Sequence, residues 1–476
     1  MRSVVLTALV LVHGMAMAAD AGKQGGAAPA TPAAAAPAVE KPAAAPAADV
    51  ATATAPVATT ATATATAAPV QASAADVAAG IAADEAADAA AEAGTKRGLV
   101  PFYAFHFSEG LSLPNIGGFF FGNKIGSTVG GKVVLTPEQS LFGAYELSYE
   151  GPGMRAQEGH EFRERSIDHS ISAGHAWKVS PAYVVSSRIQ YMNEFRRTGA
   201  NESFGNGLYD YWSLGLAERV DLGIVPGVPL GAGLAYAYVR FPNYTDLLQE
   251  FMSASVNSEL SGGQQDYHRI RFDADGRFGG DRGRGWLSVS MLDFIKARVV
   301  TGFGTAAGPR QVDYVTELGG SWKAAVAQTD SMAMTAEPVL RVTMRNSNQN
   351  FLRFRHFGDT LPSFIKGNYN YVSPSLGVPV RWEWKNGRSL FFAPTYALLA
   401  YGSRPPRDTA NEYRVGKKQL NQTLILAMGY TSKFYAYSSW TFGYAVQVQK
   451  SNNRFEKFLP YNYTGHLFYT SLDITY

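Results

Sequence analysis

From Gly98 to the end of the chain, apolar and polar positions alternate with a period of two through one segment after another. A strand has this period because successive side chains point to opposite faces of the sheet. In Tyr371 to Trp384, one face collects Val372, Pro374, Leu376, Val378, Val380, Trp382 and Trp384, and the other Tyr371, Ser373, Ser375, Gly377, Pro379, Arg381 and Glu383. Phe434 to Gln449 repeats the pattern. Phe434, Ala436, Ser438, Trp440, Phe442, Tyr444, Val446 and Val448 form the apolar face, with Tyr435, Tyr437, Ser439, Thr441, Gln447 and Gln449 opposite. In Tyr267 to Phe278, "YHRIRFDADGRF", the polar face is Tyr267, Arg269, Arg271, Asp273, Asp275 and Arg277.

The alternating region divides into about sixteen segments, within a range of roughly 14 to 18, each about as long as a tilted membrane strand with its protruding ends. The first is near 101–112 and the last near 464–476; others cover 311–326, 331–345, 369–385, 413–431 and 434–450. Their connections alternate in length. Short turns rich in Pro, Gly, Asn, Asp or Ser occur at "TPEQS" (Thr136), "VSPA" (Val179), "GIVPG" (Gly223), "GGDRGRG" (Gly279), "QTDS" (Gln328), "KNGR" (Lys385) and "TSKF" (Thr431). Between them lie longer polar loops, including 151–164, 242–265, 346–368 and 404–412. This predicts an all-β fold, a transmembrane antiparallel up-and-down β-barrel. Tryptophans at the end of an apolar row fit the rim of a membrane band, where an amphipathic ring sits at headgroup level.

Composition changes the picture before Gly98. Arg2, the apolar run Val4 to Val12 and the small-residue pattern Ala16-Met17-Ala18 read as a signal peptide over residues 1–18. Residues 19–97 are a low-complexity Ala/Pro/Thr segment without aromatics, expected to be a disordered periplasmic linker. Within it, 76–94 is Ala-rich with Asp84, Glu85, Asp88 and Glu92, and favours a short acidic helix. Residues 98–476 form the barrel. The absence of cysteine excludes disulfides, thiolate metal sites and a lipidated N-terminal cysteine.

A barrel also explains why one strand face gathers charge. Charges facing lipid near the midplane cost roughly 2–4 kcal/mol each, so the charged faces should line the lumen. The expected lining is Arg188, Glu194, Arg219, Asp221, Arg269, Arg271, Asp273, Asp275, Arg277, Asp313, Glu317, Lys323, Glu337, Arg341, Arg345, Arg381 and Glu383. From Gly98 on there are 37 basic and 31 acidic side chains, and some of the excess falls at expected loop positions Arg196, Arg197, Arg353, Arg355, Arg404 and Arg407. Such an excess suits anionic solutes, lipopolysaccharide phosphates at the outer rim, or a solvated loop surface.

Catalytic chemistry finds little support. "DADG" at Asp273 lacks the later ligands of a calcium loop and alternates as a strand. His169 and His175 share a face with Ile167, Ile171 and Trp177, as interfacial residues on a barrel rim would. No enzymatic activity, cofactor, metal or nucleic-acid partner is expected.

The C-terminal "GHLFYTSLDITY" resembles the assembly signal of Gram-negative outer-membrane β-barrel proteins: Tyr476 is final, with Ile474, Leu472 and Phe468 at alternate positions before it, while Thr470 departs from the apolar row. The resemblance is to a porin-like architecture and not to a particular family. It implies a bacterial outer-membrane location with the tail in the periplasm, contact with outer-membrane lipid and lipopolysaccharide, and delivery by the barrel assembly machinery. The expected function is a porin-like channel with a mixed-charge lumen for small hydrophilic solutes. The alternative is an export conduit for a polysaccharide or other polymer, or a structural anchor whose tail reaches peptidoglycan or periplasmic proteins.

Overall fold

The computed structural model describes residues 98–116, 119–151, 165–197, 204–225, 228–244, 265–280, 282–301, 308–353, 363–455 and 461–476. The expected signal peptide, linker and acidic helix lie outside these residues. Sixteen antiparallel strands form one closed sheet. In chain order they are β1 Leu99–Pro114, β2 Phe120–Thr136, β3 Gln139–Glu150, β4 Arg165–Ser180, β5 Tyr183–Arg197, β6 Tyr211–Val225, β7 Val228–Arg240 and β8 Tyr267–Phe278. Next come β9 Gly283–Arg298, β10 Arg310–Trp322 continued by Ala324–Gln328, β11 Met332–Ala336 continued by Val339–Ser347, and β12 Tyr371–Gly377 continued by Val380–Trp384. The last four are β13 Arg388–Tyr401, β14 Leu420–Tyr435, β15 Ser438–Ser451 and β16 Tyr463–Thr475.

Each strand pairs with its sequence neighbours, and β1 closes the ring against β16 from Ala104↔Thr475 to Pro114↔Gly465. Tyr476 completes the seam: its N–H and carbonyl bond the Tyr103 backbone, both at 2.8 Å. Closure removes the unpaired edge that hydrocarbon could not satisfy.

The strands turn tightly at one end and connect through longer segments at the other. At the "KNGR" turn Gly387 adopts a φ of 78°, a left-handed conformation that glycine takes without steric cost. Two expectations need correction. β14 does not turn at "TSKF" but runs on to Tyr435, because a bulge between Lys433 and Tyr435 absorbs a residue before the turn at Ala436 and Tyr437. Tyr435 and Tyr437 therefore sit exposed at the tight-turn end, not on the inner face. The expected strands 311–326, 331–345 and 369–385 are each broken in two. The breaks lie side by side, at Lys323, at Glu337 and Pro338, and at Val378 and Pro379. A proline has no N–H to give the ladder. The carbonyls of Pro338, Pro379 and Pro394 instead accept the N–H groups of Trp322, Glu337 and Val378, at 3.1, 2.9 and 3.0 Å.

The packing is inverted relative to a soluble protein. Val129, Leu141, Ile171, Leu216, Leu234, Phe272, Leu318, Leu340, Leu376, Met428, Phe442 and Phe468 are all exposed and all face outward. Trp177, Tyr183, Trp322, Trp440 and Tyr476 are exposed near the tight-turn end of this band. So continuous an apolar perimeter requires a hydrocarbon surround, and rings at its border suit the interface. On the inner wall several aromatic rings cover glycines of the next strand. A Cβ at Gly174 would lie 2.3 Å from Cζ of Phe142, and one at Gly443 would lie 2.1 Å from Cζ of Tyr469. These rings pack along the wall, where a glycine opposite an aromatic is a recurring barrel device.

Candidate functional site

The second face of every strand looks into the lumen, and register decides which inward side chains become neighbours. On β8, Ile270, Phe272 and Phe278 are exposed on the outside, so Tyr267, Arg269, Arg271, Asp273, Asp275 and Arg277 point inward. Arg271 Nε meets Asp273 Oδ1 at 2.8 Å. Arg219 on β6 bridges Asp221 and Asp275, each at 2.8 Å. Arg269 and Arg277 form no ion pair. Arg277 is cross-strand to Arg284 of β9, whose guanidinium lies 6.0 Å from the Trp286 ring. Arg269, Arg277 and Arg284 thus lack a carboxylate.

The wall continues over β10 to β12. Glu317 accepts a hydrogen bond from Trp286 Nε1 at 3.0 Å and pairs with Arg341 at 3.3 Å. Asp313, with no exposed surface, is paired to Arg345 and also accepts from the Gln311 amide at 3.2 Å. Arg381 and Glu383 pair at 3.1 Å on the inner face of β12. Lys323 and Glu337 occupy the strand breaks: the Lys323 N–H donates to the Arg282 carbonyl at 2.6 Å, and Glu337 precedes Pro338. These two belong to the irregular belt and not to the regular wall.

A second sector of the lumen, on β3 to β5, is acidic, and sequence reasoning missed most of it. Arg188 and Glu194 point inward from β5, and beside them Glu146 and Glu150 of β3 and Asp168 of β4 do the same. Lys124 reaches Glu150 at 3.5 Å, and Arg196, expected in a loop, lies inward on β5 with its Nε 3.3 Å from Glu194. The missed residues carry the same signal as the rest: Glu146, Ser148 and Glu150 alternate with Leu147 and Tyr149. At the strand seam His106 Nδ1 meets Asp473 Oδ1 at 2.7 Å.

At the long-loop end the connecting segments pack into the mouth. Phe241, Tyr244, Phe294, Val299, Val300 and Tyr463 are buried there. Polar side chains satisfy the loop backbone: Asp266 accepts from the Phe241 N–H at 2.7 Å, Gln349 from Val300 at 2.9 Å, and Asn453 from Arg407 at 2.6 Å. Arg404 lies over the Tyr401 ring at 4.9 Å, and Arg407 over Phe455 at 5.2 Å, so these loop arginines are mouth residues. Burial pushes the Asp266 carboxyl above its ordinary value. Arg197 faces the Phe204 ring at 5.7 Å. Arg355 and the Arg353 side chain lie outside the described residues.

His169 and His175 face outward. His169 shares a 2.8 Å hydrogen bond with the Tyr145 hydroxyl, and the same pairing recurs at Tyr236 with His268 and at Tyr444 with His466. Phe468, Leu472, Ile474 and Tyr476 lie on the outward face of β16 and just beyond it, along the strand that closes the ring. Among the described residues no group of three or more metal-ligating side chains converges.

The fold is that of the outer-membrane β-barrels. No known protein family and no curated protein matches the chain. Solved structures do resemble it. OmpT, an outer membrane protein of Vibrio cholerae, is 9% identical with a TM-score of 0.39, the match covering 79% of this chain and 99% of that one. The CymD monoaromatic hydrocarbon channel is 9% identical with a TM-score of 0.33, covering 80% and 89%. A bacterial polysaccharide outer membrane secretin is 11% identical with a TM-score of 0.35, covering 79% and 97%. At these values the matches add nothing to the barrel already described.

Proposed function

We propose that the protein is an outer-membrane channel for small hydrophilic solutes, with a lumen that is positive along β8 and β9 and negative along β3 to β5. In this reading the tight turns face the periplasm and the folded mouth faces outside, the usual orientation of such barrels. A barrel of about 16 strands is wide enough to leave an aqueous passage. The observation that carries the proposal is the exposure of inward charges. Arg271, Arg341 and Arg381 keep 47%, 40% and 55% of their side-chain surface accessible although they point into the barrel. A lumen filled by its own side chains would bury them.

Single-channel recording in planar bilayers tests this. Stepwise conductance is expected, with a modest preference for anions because Arg269, Arg277 and Arg284 have no acidic partner. A protein that inserts and migrates as a folded barrel yet conducts nothing overturns the channel reading.

A further inference from the structure

Trp286 is the exception among the seven tryptophans of the chain. Trp177, Trp212, Trp322, Trp382, Trp384 and Trp440 all take outward positions on their strands, where a membrane surround accounts for them. Trp286 takes an inward position on β9, cross-strand to Asp275 of β8 and Gly319 of β10. Its ring packs along the wall over Gly319, where a Cβ would lie 2.1 Å from Cζ2. Other inward rings cover glycines in the same way, but this one is also held at its edge and flanked by cations. Nε1 donates to Glu317 at 3.0 Å, Glu317 pairs with Arg341 at 3.3 Å, and the Arg341 guanidinium lies 5.9 Å from the ring. With the backbone of β10 beneath it, the indole keeps its other face toward the lumen, and Trp286 is only partly buried. Nearer the tight turn, Arg284 is exposed, with its guanidinium 6.0 Å from the same ring. Its cross-strand neighbours are Arg277 on β8, also exposed, and Ser321 on β10. Neither arginine forms an ion pair with the described residues.

Like charges directly across a ladder are unfavourable, and an anion placed between them turns that cost into attraction. A guanidinium takes a carboxylate through parallel N–H···O bonds, which fix its orientation as well as its charge. The indole face beside these arginines suits a different group. An aromatic ring stacks on it with an offset and gains more than the area it covers. Because the Arg284 guanidinium is only 6.0 Å from the ring, a ligand that meets both carries its carboxylate on its own ring or through a short link. We infer that Trp286, Arg277 and Arg284 form a binding site for small aromatic carboxylates on the lumen wall. The ligand's ring lies on Trp286, and its carboxylate lies at the two arginines beside the Ser321 hydroxyl. The site rests on the channel reading and deepens it: an aqueous lumen brings the solute to the wall, and a wall that offered charge alone would treat all small carboxylates alike.

Ligand-detected NMR on the full chain in detergent measures binding without any conductance. Benzoate is expected to bind saturably, and more tightly by about tenfold than acetate, which lacks the ring, or benzamide, which lacks the charge. Trp286→Leu should bring benzoate down to the level of acetate, while Trp286→Phe should keep part of the difference. Arg277→Gln combined with Arg284→Gln should bring benzoate down to the level of benzamide. Each variant is first confirmed as folded by heat-modifiable mobility, and the comparison of the three probes on the unmutated protein decides the matter without any substitution. Benzoate bound no better than acetate by the unmutated protein overturns the site, and so does a folded Trp286→Leu variant that retains the full preference. Planar-bilayer recording keeps this outcome apart from that of the channel reading. A barrel that binds benzoate selectively yet passes no current leaves the site standing and removes the channel, whereas a conducting barrel without the preference does the reverse.

Discussion

Replacing Arg269, Arg277 and Arg284 together by glutamate should reverse the ion preference of the channel while leaving the barrel assembled. All three point inward from β8 and β9, and none has a carboxylate partner whose loss would strand a charge. For an ion passing about 8 Å from each head group, the interaction is roughly 0.5 kcal/mol in water. Screening with a Debye length of about 10 Å in 0.1 M salt lowers this to roughly 0.2 kcal/mol. Reversing a charge doubles the change, so three sites together shift an anion by about 1.4 kcal/mol, which is tenfold in occupancy. Cations shift in the opposite direction. Reversal potentials under a salt gradient read the ratio directly, and the effect should shrink at about 1 M salt, where the Debye length is near 3 Å. If the triple variant conducts and its reversal potential moves by less than a twofold change in permeability ratio, these arginines do not face the conducting path.

Three further outcomes follow from other parts of the barrel. Arg345→Met leaves the wholly buried Asp313 carboxylate with only the Gln311 amide, and should cost about 3–5 kcal/mol in urea unfolding from lipid vesicles, whereas Arg345→Met with Asp313→Leu should recover most of that loss. Equal stability of the single and double variants refutes the pairing. Phe272→Arg, on the outer face of β8, should lower folding yield by about 2–4 kcal/mol if it lies near the midplane, while Asp273→Arg on the inner face should fold normally; heat-modifiable mobility on gels separates the two. For Asp266, burial raises the carboxyl in the folded state against the opposing pull of the Phe241 N–H, Arg240 and Lys296. The folded state therefore holds this proton to higher pH than the unfolded chain, and its contribution to stability falls as pH rises from the ordinary carboxylate range through the raised value. Asp266→Asn should gain on the wild type across that window, and a difference that does not change with pH refutes this.

The faces of the strands were legible in the sequence because they depend on a period of two, a local property that no distant contact alters. Leu376 and Val380 stay on the same outward side across the break at Pro379, as their parity requires. Turn positions were less secure: the run at Thr431 reads as a turn, yet a bulge near Lys433 extends β14 to Tyr435. A bulge costs one residue of register and has no fixed composition, so nothing in "TSKF" announces it. The packed mouth was illegible for a different reason. Its hydrogen bonds join residues far apart in the chain, such as Asn453 with Arg407 and Gln349 with Val300. Polarity alone marks these segments as loops and says nothing of where they fold. The acidic sector at Glu146, Glu150 and Asp168 could have been read by the alternation that identified β8, but the separation of acidic and basic sectors around the wall emerges only once the ring order of the strands is known.

The lumen's ion pairs show how local spacing and ring closure divide the work. Four pairs are made within a single strand by residues two apart: Glu194 with Arg196, Arg219 with Asp221, Arg271 with Asp273, and Arg381 with Glu383. In a strand this spacing puts both groups on one face, so each pair is set before any neighbour is added. A pair of that kind nearly cancels its own field at the distance of a passing ion, and exposed pairs add little stability. Their value to an aqueous wall is polarity without net charge. Under the proposed channel function, selectivity is then left to charges that the spacing does not neutralise, such as Arg269, Arg277 and Arg284 among the inward residues of β8 and β9. Arg277 and Arg284 come together only through the β8–β9 register, where like charges face each other across the ladder at some cost. A wall selected for stability alone would have placed an acid at one of those two positions. In the proposed channel, two arginines held opposite each other at the tight-turn end of the lumen would attract anions at the point where the passage opens from the barrel.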